Sequence, residues 1–170
     1  MKKHDFTDKS YATPTGRVYK VKIGGPVTTD GVVEYLKANE FDFVNEAITQ
    51  KNFPLRPHAI KEVEIEIIYP GRPFTESEGL LFLKNAGLRR PTKEHALRFV
   101  EQYGKRAEGN SYVVFLHKHW SDPSLYISDD RNRLVLYLNH HFTLCELNLV
   151  HLHGGFGKGC VLAGVRRAIK

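Results

Sequence analysis

Tyr112-Val113-Val114-Phe115-Leu116-His117 is apolar at both alternating sets of positions, the pattern of a strand covered on both faces. From here to the C-terminus strand-like runs recur at 125–127, 133–138, 142–153 and 160–167. Between them lie Asp129-Asp130-Arg131-Asn132, Asn139-His140 and Gly154-Gly155-Phe156-Gly157-Lys158-Gly159, all with turn chemistry. Taken in order, these runs predict a five-strand antiparallel meander.

Upstream, the clearest strand is Glu62-Val63-Glu64-Ile65-Glu66-Ile67-Ile68-Tyr69, with carboxylates on one face and Val63, Ile65 and Ile67 on the other. Val18-Tyr19-Lys20-Val21-Lys22-Ile23 alternates in the same way and ends at Gly24-Gly25-Pro26. The plain reading of the three glutamates is a solvated face opposite Lys20 and Lys22, a cross-strand charge ladder rather than a cation site.

Helical periodicity fills the gaps. Thr29 or Asp30 caps a helix carrying Val32, Val33 and Leu36, and a second short helical piece runs through Val44, Ala47 and Ile48. The prolines of Asn52-Phe53-Pro54-Leu55-Arg56-Pro57 make that segment a linking loop. Thr75 with Glu78 forms a capping box for a helix that stops at Gly87. Another helix starts at Thr92 after Pro91 and ends at Gly104. The short connector Leu88-Arg89-Arg90-Pro91 predicts that these two helices are neighbours.

The expected architecture is therefore α+β: a mostly antiparallel sheet of about six or seven strands with helices packed on one face. Residues 1–16 are polar and read as a flexible N-terminal arm, and 17–170 as one α+β domain. No apolar run follows Met1-Lys2-Lys3-His4-Asp5 before Val18, and two cysteines are too few for a disulfide framework. Both point to a cytoplasmic protein without a membrane partner.

The chemistry-bearing residues lie in the C-terminal half, where six of the nine histidines fall. In a meander His117, His119, His140 and His141 collect at one end of the sheet with Asp122, a donor set suited to zinc with an open position for hydrolytic water. His151, His153 and Cys160 form a second candidate zinc set at the other end, if His153 pairs with Cys160 across the glycine turn. The plainer reading is that these imidazoles hydrogen-bond to carbonyls, stack on Trp120, or face water.

A basic helix pair over 75–106 also raises a helix-turn-helix reading, with Lys93 and Arg98 on its second helix and Arg89 and Arg90 in the connector. The formal charge of +6 agrees with attraction to nucleic acid or another polyanion. Glu94 and Glu101 on the same helix speak against it. The glycine-rich stretch 154–159 lacks the spacing of a phosphate-binding P-loop and reads as a hairpin turn. No catalytic residue is identified by any motif.

Asn52-Phe53-Pro54-Leu55-Arg56-Pro57, the stretch 88–103, Val114-Phe115-Leu116-His117-Lys118-His119-Trp120-Ser121-Asp122-Pro123 and Gly164-Val165-Arg166-Arg167 resemble a group of small uncharacterised bacterial proteins. The resemblance implies no activity, cofactor or catalytic residue. His117, Trp120, Asp122 and Pro123 belong to that group's pattern, whereas His119, His140, His141, His151 and His153 fall outside it. The function expected from the sequence is a small basic domain that binds a partner, nucleic acid or another protein, rather than an enzyme. Trp120, Arg89, Arg90, Lys93 and Arg98 are its candidate contact residues. A zinc-type hydrolase and a nucleic-acid binder are the alternatives.

Overall fold

A computed structural model of the chain describes residues 16–107, 111–124 and 132–167. The expected arm lies outside them apart from Gly16, as do the expected strand 125–127 and the turn residues Asp129, Asp130 and Arg131. In chain order the elements are β1 (Val18–Gly25), α1 (Thr29–Ala38), β2 (Phe43–Val44), β3 (His58–Ile68), α2 (Glu76–Asn85), β4 (Leu88–Arg89), α3 (Lys93–Tyr103), β5 (Ser111–Val114), β6 (Leu134–His141), β7 (Leu144–His151) and β8 (Cys160–Arg166).

The local readings mostly carry through. β1 pairs antiparallel with β3, with Lys20 opposite Glu64 and Lys22 opposite Glu62, so the expected charge ladder forms while Tyr19, Val21 and Ile23 are buried beneath it. Both α2 and α3 begin with a capping box, Thr75 with Glu78 and Thr92 with His95. Gly87 takes φ 72°, the left-handed geometry expected where α2 stops.

Three local readings need correction. Asn139 and His140, expected to turn, lie within β6, and the chain reverses at Phe142 and Thr143 instead. The cap of α1 is Thr28, whose hydroxyl accepts the Gly31 N–H at 3.1 Å, because Thr29 turns inward and donates its hydroxyl to the Phe53 carbonyl. The expected helical piece at Val44 is instead a two-residue strand. Asp42 holds it against β7, giving its N–H to the Cys145 carbonyl and accepting the Cys145 N–H on its carboxylate.

The sheet is mixed rather than mostly antiparallel. Its order is β1-β3-β8-β5-β6-β7-β2, with β4 paired to β8 off this path, and β5–β8 and β2–β7 are parallel. β5, β6 and β7 do form an antiparallel ladder, but β8 leaves it and inserts between β3 and β5. The glycine stretch is thus no hairpin turn. Phe156, buried within it, exchanges two backbone hydrogen bonds with Phe74 and carries the chain from β7 to the far side of β5. Burial explains the choice: Val161, Leu162, Ala163, Gly164 and Val165 are all buried, so β8 needs a strand on each side and cover on each face.

The helices occupy both faces, not one. Alternate residues of the central strands separate two cores: Val113, Phe115, Val161 and Ala163 pack under α1 and α3, whereas Val114, Leu116 and Leu162 pack under α2 with Phe74 and Phe156. This also breaks the helix-turn-helix reading. The connector that was to bring α2 and α3 together contains β4, whose Leu88 and Arg89 pair with Arg166 and Val165 of β8, and the helices go to opposite sides of the sheet. Among the described residues no helix is long and apolar enough to cross a membrane.

Candidate functional site

A recess of about 630 Å³ opens between the loop that follows Phe53 and the start of α3. Prolines keep the loop out of any ladder, and its alternation fixes which side chains turn in. Phe53 and Leu55 are buried anchors, while Pro54 and Arg56 face out toward the recess. Gln50 pins the loop to α1 by accepting the Thr29 N–H at 2.7 Å and donating to the Leu55 carbonyl at 2.9 Å.

On the opposite wall stands Arg90, which donates to the carbonyls of Leu116 and His117, the latter at 2.7 Å, and pairs with Glu76 at 3.4 Å. It is a staple between the β4–α3 connector and the chain leaving β5. Lys93, in the first turn of α3, sits with its ammonium 5.0 Å from the centre of the Phe53 ring. That ring packs in turn on Trp120 at 5.4 Å and on His117 at 6.3 Å. Lys118 completes the wall. Burial, aided by the nearby Lys118 charge, lowers the Lys93 pKa.

Glu94 brings the one carboxylate of this wall, and it is occupied. Both of its oxygens lie 2.9 Å from His58 Nε2, and one also accepts the Gly24 N–H at 2.8 Å. His58 Nδ1 faces the Ala59 carbonyl at 2.9 Å, so both ring nitrogens meet acceptors and the imidazolium is the form this geometry holds. Its pKa is raised accordingly, first by the hydrogen bond to Glu94 and then by that to Ala59. By contrast Arg56, Lys93 and Lys118 have no carboxylate partner among the described residues.

The expected metal sets are not brought together. His117 is fully buried, and His119 follows it near the Trp120–Leu134 bridge at one end of β6. His140 and His141 lie at the other end, opposite Cys145 and Leu144, six residues along the strand and roughly 20 Å away at the rise of a β-strand. His140 Nδ1 meets the Ala107 carbonyl at 3.0 Å, and the His141 ring stands against Phe142. Asp122 spends its carboxylate on Ser124, accepting both its N–H and its hydroxyl.

The second set fails for a related reason. β5 and β6 stand between β7 and β8, so Cys160 pairs with Tyr112 while His151 lies opposite Leu134, and His153 is exposed in the crossing loop. Among the described residues no group of three or more histidine, cysteine or acidic side chains is arranged to hold a metal ion. Neither thiol is activated: burial pushes the Cys145 pKa up to about 11 and raises that of Cys160.

Of the expected contact residues, Arg90 and Lys93 line the recess, and Trp120 lies behind it, packed on the Phe53 ring that the Lys93 ammonium faces. Arg89 is exposed on β4. Arg98 is engaged elsewhere, donating to the Lys22 carbonyl at 3.1 Å and pairing with Glu101 at 2.6 Å. Sequence reasoning missed Arg56, His58, Glu94 and Lys118 as site residues. The one local signal was an arginine set between prolines in Pro54-Leu55-Arg56-Pro57, which a linking loop does not require. Comparison with protein families, with characterised proteins and with solved structures finds no match to this chain.

Proposed function

We propose that this protein is a binding domain that takes a small anionic ligand in the recess between Arg56 and the first turn of α3. One observation carries the reading: Arg56, Lys93 and Lys118 line a single open recess with no carboxylate partner among the described residues, while Glu94, the acidic residue on its wall, is held by His58. Lys93, partly buried, loses solvation that an anion restores, and the exposed Arg56 and Lys118 add charge attraction at the rim. Pro54, Leu55 and Pro91 add apolar wall, which favours an organic body over a bare ion.

The reading keeps the expectation of a basic binding domain and replaces its contact surface. A helix-turn-helix contact finds no support in helices that lie on opposite faces, and zinc hydrolysis finds none in imidazoles held apart by the register. Thermal unfolding of the chain with a panel of small organic anions tests the proposal. Anions raise the melting temperature at low ionic strength, and the rise shrinks with added salt and in Lys118→Ala and Arg56→Ala. A panel that leaves the parent chain and both variants unmoved refutes it.

A further inference from the structure

We infer that the anion taken by this recess is a phosphate monoester carried on a small ring that bears hydroxyl groups, an inference that rests on the anion-binding reading above. Three features select that chemistry. The first is charge. Arg56, Lys93 and Lys118 approach the same space from three segments, the 53–58 loop, the first turn of α3 and the chain after His117. A dianion with three terminal oxygens offers one acceptor to each, whereas a carboxylate has two oxygens and a single charge. Burial first and then the Lys118 charge lower the Lys93 pKa, and a dianion between the two ammonium groups offsets both.

The second feature is size. A volume of about 630 Å³ lies within the range of sites that enclose whole small molecules, well beyond what a bare phosphate fills. Pro54, Leu55 and Pro91 give the remainder of the space apolar surface on which a ring can lie. The third is Glu94. Its carboxylate would repel a second acidic group, while the lone pairs left beside its bonds to His58 and Gly24 suit a donor hydroxyl. The start of α3 is not needed as the anchor, since the Thr92 N–H and hydroxyl are already taken up by His95.

Calorimetric titration of the full chain with ribose 5-phosphate, adenosine 5′-monophosphate, inorganic phosphate, ribose and succinate tests the inference. Ribose 5-phosphate is expected to bind at least about tenfold more tightly than ribose, succinate or inorganic phosphate. Lys118→Ala and Arg56→Ala, both substitutions of exposed side chains, each cost about tenfold for the ester. Adenosine 5′-monophosphate separates the sources: a gain over the sugar phosphate identifies a nucleotide, and a loss identifies a sugar phosphate, both within the inferred class. Succinate binding as tightly as the ester, with the same dependence on Lys118, overturns the phosphate assignment while leaving anion binding intact. Inorganic phosphate matching the ester overturns the ring, and silence from every anion overturns both readings.

Discussion

The Nε2 of His117 accepts the backbone N–H of Leu136 at 2.9 Å. This bond stands where the β5–β6 ladder is interrupted. Phe115 still gives its N–H to the Leu136 carbonyl, and Trp120 exchanges two bonds with Leu134, but the chain between them curls so that the His117 N–H turns back to the Phe115 carbonyl. The imidazole replaces the missing backbone acceptor, and its Nδ1–H donates to the Lys118 carbonyl at 2.6 Å. A ring with one donor and one acceptor role is neutral, and burial pushes its pKa down to about 4. The most suggestive histidine in the sequence therefore patches the sheet beneath the recess.

Acid should destabilise the fold through this residue. A histidine near 6.5 when unfolded and near 4 when folded takes up a proton on unfolding, so its contribution is complete above 6.5 and is lost as pH falls toward 4. His95, also pushed down to about 4 by burial, adds a second proton in the same window. Urea unfolding should show stability falling from about pH 6.5 toward 4, by up to about 1.4 kcal/mol per pH unit for each proton. His117→Gln should remove one proton from that slope, and an unchanged slope would remove the histidine from the explanation.

Two glycines are fixed by packing. A Cβ on Gly164 of β8 would stand 2.7 Å from Leu83 and 2.8 Å from Leu88, and one on Gly79 of α2 would stand 2.6 Å from Leu116. Gly164→Ala and Gly79→Ala should each cost about 1–3 kcal/mol from overpacking, although alanine is the better helix former by about 1 kcal/mol. Gly154→Ala, with nothing within 4 Å, should be near neutral by the same denaturant measurement.

Phe142 is at the opposite extreme. It occupies the tip of the β6–β7 hairpin with φ 52° and 76% exposure. A bulky side chain in left-handed backbone costs about 1–2 kcal/mol, and the exposed ring stands edge-on to His141. Phe142→Gly should raise unfolding stability by about 0.5–1 kcal/mol. A loss of stability there would show that the ring is held by more than its neighbour.

The β1 edge is closed by side chains of α3. Gln102 accepts the Lys22 N–H at 3.0 Å and donates to the Lys22 carbonyl at 2.8 Å, and the Tyr103 hydroxyl donates to the Lys20 carbonyl at 2.7 Å. Free edge groups template strand pairing between molecules. The double substitution Gln102→Ala with Tyr103→Phe should increase concentration-dependent self-association over the parent chain, read by light scattering. Equal scattering from both proteins would mean that Arg98 and Glu94 suffice to guard the edge.

Individual elements were legible because their signals are short-range. Lys20 and Lys22 against the glutamates of 62–66 declared a strand pair, Thr75 with Glu78 declared a helix start, and the apolar run from Tyr112 declared a central strand. The site was not legible in this way. His58 and Glu94 are 36 residues apart, and Arg56, Lys93 and Lys118 come from three segments that no spacing rule connects.

The sequence by itself determined where strands and helices form, since alternation, helical periodicity and caps act between residues a few positions apart. Tertiary structure alone decided where β8 goes. Ladder bonds join backbone groups common to every residue, so a pattern of alternation names no partner. Burial chose instead, drawing the apolar β8 away from β7 to a place between β3 and β5 where both its faces are covered. That choice separated the histidines and left the chain leaving β5 beside the 53–58 loop and α3, around a basic recess.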